Sequence, residues 1–518
     1  MCRGSYASSD ADDAMSTLIV GAQLHSAEPH DTSILFGTTG IEWIGPTNTA
    51  REIPADIRID AHGMLVTPGF VDAHVHATNT GLMLIGLDLT STVSADDLLT
   101  RVAAAAAAHP GESILGHGWD ETRWSDSRLP SLSDIDAAGE YRPVYLSRVD
   151  VHSALVSSAL IAAEAGVTAL PGFRGDSTLV AQQAHGALRR TALGAITPRT
   201  RERAQRAFLD QASRRGIVAV HEMAGPTISS EADARALVEL SEAAVGPRVF
   251  LYWGELASRG GLERAQELGA VGAGGDLFLD GALGSRTAAL HEPYNDDPTN
   301  RGALYVQLDE IVDHLIRCTE ANVQAGFHVI GDRACDLVTE GMRACAENVG
   351  VAHFRRLRHR LEHAEMLSDA ALATLADLGA VLSMQPLFDG LWSAPHGMYE
   401  QRLGRQRAHG MNRWGSAYRN GSVVAFSSDC PVTEMSPWAQ VRAAMEHHDR
   451  SERLSWAEAV DAHSRAGWRA VGDDISGSIA LGSPAHLALW DLSMADQDPE
   501  CVATWVDGRC SYSRDGIT

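Results

Sequence analysis

The segment GFVDAHVHA, residues 69–77, joins the apolar run of a buried strand to two histidines, His74 and His76. Alternate residues of a strand point to the same face, so the two imidazoles lie on one side, about 7 Å apart at Cα. Imidazoles at that spacing can share one metal ion. Because the chain has 22 histidines, such a pair also arises by chance. Further ligands elsewhere in the chain are needed to make it a metal centre.

The same strand pattern recurs along the chain, and each segment ends in polar residues. We count eight such segments, separated mostly by helical stretches: LVTPGFVDAHVH, GIVAVHEMAG, RVFLYWGE, DLFLDGALGS, VQAGFHVIGD, RLEHAEM, AVLSMQP and VVAFSSDCPV. This alternation predicts an α/β fold, a (β/α)8 TIM-type barrel formed by residues 66–84 and 205–470. A barrel of this kind places its site at the polar ends of its strands.

Three other regions surround or interrupt the predicted barrel. Residues 15–65 and 471–518 contain short strand-like runs between turn residues, which predicts a small β-sandwich domain built from both ends of the chain. Residues 85–204 are too many for a loop, and we predict an inserted α+β subdomain that covers the barrel mouth. The polar, acidic residues 1–14 predict a disordered leader.

The bulk composition argues against several classes of partner. The formal charge is −25, from 67 acidic and 42 basic residues, which disfavours nucleic acid and anionic membrane surfaces. No apolar run approaches the length of a membrane span, and the seven cysteines form no CxxC pair. We therefore expect a cytoplasmic protein with free thiols and a small-molecule substrate. Whether the chain forms a homo-oligomer stays open.

Further potential metal ligands follow other predicted strands. They are His328 in AGFHVIGD, His363 in RLEHAEM and Asp429 in AFSSDCPV. Zinc-type sites combine neutral imidazoles with a carboxylate and keep one position open for water. Any one histidine is more often a core or surface residue, but the joint placement of these three with His74 and His76 favours a metal centre.

The ordered motifs PGFVDAHVH, DGALGSRTAAL, FHVIGD, LEHAEM, SMQP and SSDCPV resemble the amidohydrolase superfamily, in particular the branch that includes N-substituted formamide deformylase. The resemblance covers the chain from about residue 16 to 510. It implies a metal-dependent hydrolase of non-peptide C–N bonds with one or two divalent ions, usually zinc. Metal ligation is implied for His74, His76, His328, His363 and Asp429, and Asp429 is also implied to be the general base.

The chain departs from this family at the bridging ligand. Many members carry a carboxylated lysine before the DG of the fourth strand, but this chain has no lysine. At the matching place, in GGDLFLDG, stands Asp276, so either a carboxylate replaces the bridge or the centre holds one metal. Asp280 faces the same way but lies about 13 Å further along a regular strand. Glu222, at the end of the second strand, is the other candidate, and a purely structural acid is the alternative for each.

The resemblance also implies a mechanism. A divalent metal lowers the pKa of a bound water toward 7. Asp429 would take the proton of that water and then serve the leaving nitrogen as general acid. His221, beside Glu222, is a candidate for orienting the substrate oxygen, and a supporting or structural role is the alternative.

Four residues outside the predicted centre are candidates for substrate binding. Arg286, just beyond the fourth strand, could bind a carboxylate or carbonyl of the substrate or could pair with a neighbouring acid. Trp119, Arg148 and His152 of the insert occupy motif positions resembling those of the family, with internal packing as the alternative.

Two other functions compete with the hydrolase. A deaminase of the same superfamily, acting on a cyclic amidine, usually has a glutamate three residues after the fifth-strand histidine; here that position is Gly331, followed by Asp332. A catalytically silent barrel protein is the alternative from a different class, and the ligand types kept at five positions argue against it.

Overall fold

The computed structural model describes residues 15–25, 28, 30–121, 124–126, 128–148, 153–175, 177–493 and 498–514. The chain divides into two compact units. The first comprises Met1–Val75, Asp210–Ser229 and Ser241–Thr518, and the second comprises His76–Leu209 and Ser230–Leu240. The predicted leader, residues 1–14, lies outside the described residues.

The first unit contains an eight-stranded parallel sheet that curls into a barrel. Neighbouring strands pair in chain order, and the first strand meets the end of the eighth through the bridge between Val75 and Cys430. This confirms the predicted barrel. Its strands are Phe70–Val75, Ile217–Ala224, Arg248–Trp253, Gly272–Ala273, Gln324–Val329, Arg360–His363, Val381–Met384 and Val423–Phe426.

Seven of the eight barrel strands are buried along their whole length. Parallel strands covered on both faces read as continuous apolar runs, which is why the sequence pattern found them. The helices that alternate with them are Pro198–Arg214, Glu231–Glu242, Gly261–Glu267, Leu308–Glu320, Asp332–Val349, Val351–Leu357, Asp369–Leu378, Pro386–Trp392, Met398–Leu403, Arg405–His409, Trp414–Arg419, Pro437–Glu446, Trp456–Ala462 and Arg465–Ala470.

The fourth barrel strand differs from its prediction. A continuous strand over DLFLDGALGS was wrong: the strand is Gly272–Ala273, and only Phe278 rejoins the sheet, as an isolated bridge to His328. The chain turns between the two at Gly274, whose φ is 152°. A Cβ there would lie 2.2 Å from the backbone nitrogen of Gly326, so only glycine fits this close approach.

Both ends of the chain form a β-sandwich in the first unit, as predicted. One sheet orders the strands Gly40–Gly45, Ser33–Gly37, Thr17–Val20 and Ile57–Asp60; the other orders Gln23–Leu24, Met64–Pro68, Leu487–Asp491, Glu500–Val506 and Arg509–Ser513. Ile19 and Phe36 of the first sheet share one core with Leu489 and Trp505 of the second. The predicted first barrel segment therefore contains two strands, since Met64–Pro68 belongs to the sandwich.

The second unit contains an α+β subdomain in the region of the predicted insert, together with parts of the helices Pro198–Arg214 and Glu231–Glu242. Its sheet orders the strands Leu179–Ala181, Ser153–Val156, Val144–Arg148, Ile114–Trp119 and Leu87–Asp88. Leu146 and Tyr145 alternate between two apolar clusters, one on each face of this sheet. Its helices are Ala77–Ile85, Ala95–Ala108, Leu132–Ala138, Ser158–Ala163 and Gln182–Gly194.

Among the described residues, no helix is both long and apolar enough to span a bilayer. The cysteines in that part of the chain, Cys318, Cys335, Cys345, Cys430, Cys501 and Cys510, are all free thiols.

Candidate metal centre

Four of the predicted ligands stand at the carboxyl ends of barrel strands. His74 and His328 lie near the ends of the first and fifth strands, His363 ends the sixth, and Asp429 follows the eighth. The backbone leaves the last two positions in the left-handed region, with φ of 67° at His363 and 53° at Asp429. Side chains other than glycine occupy this region rarely, and such strained residues concentrate at functional sites.

The carboxylate of Asp276 lies at the middle of three imidazoles. Its Oδ1 is 3.4 Å from Nδ1 of His328, 3.6 Å from Nε2 of His74 and 3.9 Å from Nε2 of His363. All four side chains are buried. The departure of the chain from a regular strand at Gly274 places Asp276 where it reaches the three histidines.

Asp429 joins the cluster from the end of the eighth strand, which meets the first strand, where His74 lies. Its Oδ1 is 3.4 Å from Nε2 of His74, and its backbone N–H donates to the His74 carbonyl at 2.9 Å. Asp72, on the first strand, accepts the backbone N–H and the hydroxyl of Ser428 at 2.8 and 2.6 Å. These bonds hold the end of the eighth strand against the first.

The ring nitrogens that face away from Asp276 are hydrogen-bonded. Nδ1 of His74 lies 2.9 Å from Oε2 of Glu362, and Nδ1 of His363 lies 2.9 Å from Oε1 of Gln385. A proton on each Nδ1 leaves the Nε2 lone pair available to a cation. His74 and His363 therefore turn their Nε2 atoms toward Asp276.

The carboxylates of Asp276 and Asp429 favour positive charge in the cluster. Burial opposes protonation of His74, but the carboxylates of Asp276 and Asp429 outweigh it and raise the pKa of His74 well above its ordinary value. Burial also opposes ionisation of Asp276, yet the charge of His74 and the neighbouring imidazoles of His328 and His363 bring its pKa well below the ordinary value. Protons on the imidazoles or a divalent cation can supply that charge.

The donor set fits a divalent cation. Nδ1 of His328 is buried and makes no hydrogen bond within the described residues. A buried polar atom left in this way is costly unless a ligand takes its lone pair. Neutral imidazole and carboxylate are the ligand types of zinc-type centres, and His74, Asp276 and His363 offer atoms within 4.8 Å of one another.

The structure separates the three carboxylates that the sequence left as alternatives. Asp276 belongs to the cluster. Asp280 accepts the backbone N–H groups of Ala289, Ile330 and Gly331 at 2.8 to 3.0 Å, so it anchors loops. Glu222 is buried on the second strand and belongs to none of the potential metal-ligand groups found among the described residues.

His76 and His221 do not lie at the ends of barrel strands as His74, His328 and His363 do. The first barrel strand ends at Val75, so His76 lies one residue beyond it, buried, as the N-cap of the helix Ala77–Ile85. His221 is buried on the second strand, where Nδ1 accepts from the guanidinium of Arg360 at 3.1 Å. Burial, together with the charge of Arg360, lowers the pKa of His221 well below its ordinary value. This placement favours the supporting role for His221.

Arg286 is committed to a neighbouring acid. Its φ is 57°, and its Nε and Nη2 donate to the two oxygens of Asp296 at 3.0 and 2.9 Å. Arg402 also donates to Asp296. The arrangement favours loop pairing over substrate binding.

The substrate-binding candidates of the insert are described within the second unit. Trp119 is fully buried and donates its indole N–H to the Leu146 carbonyl at 2.8 Å, which favours packing. Arg148 pairs with Glu121 at 2.9 Å and with Asp120 at 3.1 Å. His152 lies outside the described residues.

Sequence reasoning missed the buried pair Arg360 and Glu362. Burial would raise the pKa of Glu362, but the Arg360 guanidinium and the hydrogen bond from His74 lower it to about 2. A signal for this pair was present: in R-L-E-H the two charged residues alternate on a strand next to His363, so they share the face that fills the barrel.

Comparison with known proteins agrees with this architecture. Residues 58–512 match the model of the amidohydrolase family. The chain is 28% identical to Protein LONG AFTER FAR-RED 3 of Arabidopsis thaliana, over 94% of this chain and 89% of that protein. It is 22% identical to N-substituted formamide deformylase of Arthrobacter pascens, over 96% of this chain and 98% of that enzyme.

A solved structure matches over nearly the whole chain. It is an uncharacterised metal-dependent hydrolase from Pyrococcus furiosus, with a TM-score of 0.77 and 25% identity, covering 92% of this chain and 99% of that one. The family match spans the barrel, the histidine cluster and part of the sandwich. The chain thus belongs to the amidohydrolase family.

Proposed function

We propose that this enzyme hydrolyses an amide-like, non-peptide C–N bond of a small molecule, with Asp429 as the general base. The proposed metal ligands are His74, His76, His328, His363 and Asp429, joined by Asp276 in place of the lysine that many relatives carry. The proposed metal is zinc, with one or two ions in each chain.

One observation carries the proposal: a single carboxylate oxygen of Asp276 lies within 3.4 to 3.9 Å of a ring nitrogen on each of three buried histidines. These residues come from distant parts of the chain, and together they have the donor types of a zinc-type centre. Polar clusters on a protein surface are exposed, and apolar cores do not contain such groups. Neither explains this buried cluster.

The chemistry divides between the cation and the chain. A bound divalent cation supplies Lewis acidity, which polarises a carbonyl group and makes water more acidic. Asp429 takes the proton of the attacking water on a carboxylate oxygen and returns it to the leaving nitrogen. The backbone bond from Asp429 to His74 holds this carboxylate at the cluster throughout.

The name of the Arthrobacter pascens relative suggests which substrates to test first. That relative is an N-substituted formamide deformylase, so N-formyl amines head the list, followed by other N-acyl amines, cyclic amides and esters. The negative charge of the chain, −25, mildly disfavours highly anionic substrates.

The direct experiment joins metal analysis to a hydrolysis screen. Protein purified after growth with zinc or manganese should contain at least one divalent ion per chain. It should release amine and carboxylate from a member of the panel, and chelation should abolish this release. Ammonia release without a carboxylate product would instead indicate a deaminase, and clearly less than one metal per chain would contradict the proposal.

A further inference from the structure

One fully buried arginine connects several strands beneath the candidate centre. Arg360, on the sixth strand, donates from Nε to Oε1 of Glu362 at 2.5 Å and from Nη2 to Oε2 at 2.9 Å. Both side chains have no exposed surface. The carboxylate is therefore held by two parallel hydrogen bonds, the geometry in which arginine fixes an acid most firmly.

The same guanidinium reaches three other strands. Nη2 also donates to the carbonyl of Ala73 on the first strand at 2.7 Å, and Nη1 donates to His221 on the second at 3.1 Å. The ring of Tyr252, on the third strand, lies 4.5 Å from the guanidinium carbon. Every side of Arg360 is thus engaged, which fixes Glu362 relative to the backbone next to His74.

Glu362 in turn orients His74, a proposed metal ligand. Its Oε2 lies 2.9 Å from Nδ1 of His74, and Nε2 of that ring faces Asp276 and Asp429. An imidazole that carried its proton on Nε2 could not bind a cation there.

We propose that Arg360 and Glu362 are positioning residues that fix the tautomer and orientation of His74 and thereby set the affinity of the centre for its divalent cation. The inference rests on the proposed function, since it assumes that His74 binds metal. Stability alone does not account for the pair, because a buried ion pair contributes little more to folding than apolar residues of the same volume.

The variant Glu362→Gln tests the tautomer directly. Arg360 would draw the amide oxygen toward itself, leaving the amide NH2 group against Nδ1 of His74 and favouring a proton on Nε2. We expect zinc affinity, measured by competition with a chromophoric chelator, to fall about tenfold to a hundredfold. The visible spectrum of the cobalt-substituted protein should change as well.

Removing Arg360 in the same background should reverse part of this loss. In the double variant Arg360→Met, Glu362→Gln, the amide is free to turn its oxygen toward His74, so zinc should bind more tightly than in Glu362→Gln alone. The matched control is Arg358→Met. That neighbouring arginine pairs with Asp474 at 2.6 Å, and its loss should leave zinc affinity unchanged.

The outcomes separate the inference from the proposed function. If wild-type protein binds zinc and Glu362→Gln binds it equally well, the positioning role is wrong while the metal centre stands. If wild-type protein binds no divalent metal, the proposed function itself fails. Should Glu362→Gln not fold, histidine-selective ¹⁵N NMR of the zinc-loaded wild-type protein still decides: a His74 ring without a proton on Nδ1 would overturn the inference.

Discussion

At the scale of single residues, the two aspartates of the cluster have different surroundings. Asp276 has three histidines around one oxygen, at 3.4 to 3.9 Å. Asp429 lies 3.4 Å from His74, forms a potential metal-ligand group with His74 and His76, and sits on a left-handed backbone position beyond the eighth strand. Asp276 is therefore suited to holding a cation, and Asp429 is suited to exchanging a proton at the edge of the cluster.

This difference predicts the behaviour of Asp429→Asn. The amide keeps one oxygen for the metal but cannot take a proton from water, so metal should stay bound while turnover falls about a hundredfold to ten-thousandfold. The measurement is kcat beside metal content in the same preparation. Turnover near the wild-type rate would remove Asp429 as the base.

At the scale of elements, a buried histidine fastens the helix Leu308–Glu320 to the barrel. Nδ1 of His314 accepts the Ala257 backbone N–H at 3.0 Å, and its Nε2–H donates to the carbonyl of Ala273 on the fourth strand at 3.1 Å. The bond from Ala257 requires the neutral ring, because a protonated Nδ1 cannot accept. Burial lowers the pKa of His314 to about 4, although the bond to Ala273 raises it slightly.

The protein should therefore lose stability in mild acid. The unfolded chain protonates His314 near pH 6.5, whereas the folded chain does so only near pH 4. The stabilising contribution is complete above pH 6.5 and declines as the pH falls, by about 2 kcal/mol at pH 5. His314→Gln should show a smaller drop in urea-unfolding free energy between pH 7.5 and pH 5.

The matched control for this experiment is His396→Gln, because His396 is exposed. That substitution should leave the pH dependence as in the wild-type protein. An unchanged pH dependence in His314→Gln would show that His314 is not the group responsible.

The elements also show which parts of the site are readable from sequence. His74, His328, His363 and Asp429 could be predicted because each stands at the end of a regular, buried strand. The carboxylate that replaces the lysine could only be predicted to be one of three acids. The position of Asp276 depends on the turn at Gly274, and the periodicity of a strand does not predict such a turn. The hydrogen bonds of Trp119 and Arg148 depend on packing inside the insert, which could not be predicted from sequence patterns.

At the scale of the whole molecule, the absence of lysine from all 518 residues constrains the chemistry. A carboxylated lysine cannot form, so no ligand of the centre comes from carbon dioxide. A carboxylate of the chain itself can take the bridging role instead, and Asp276 lies among the three histidines.

Metal loading should consequently be independent of carbon dioxide. Apo protein reconstituted with zinc in bicarbonate-depleted buffer should reach the same metal content and activity as in buffer with added bicarbonate. An increase in either quantity with bicarbonate would contradict the assignment of Asp276 as the replacement.

Crystallography with anomalous scattering at the zinc edge tests the metal centre most directly. We predict a peak in zinc-loaded protein among the proposed ligands His74, His76, His328, His363, Asp276 and Asp429, at about 2.0 to 2.1 Å from the ring nitrogens that bind it. A fully loaded crystal with its zinc elsewhere, or with these side chains apart and no peak among them, would contradict the account.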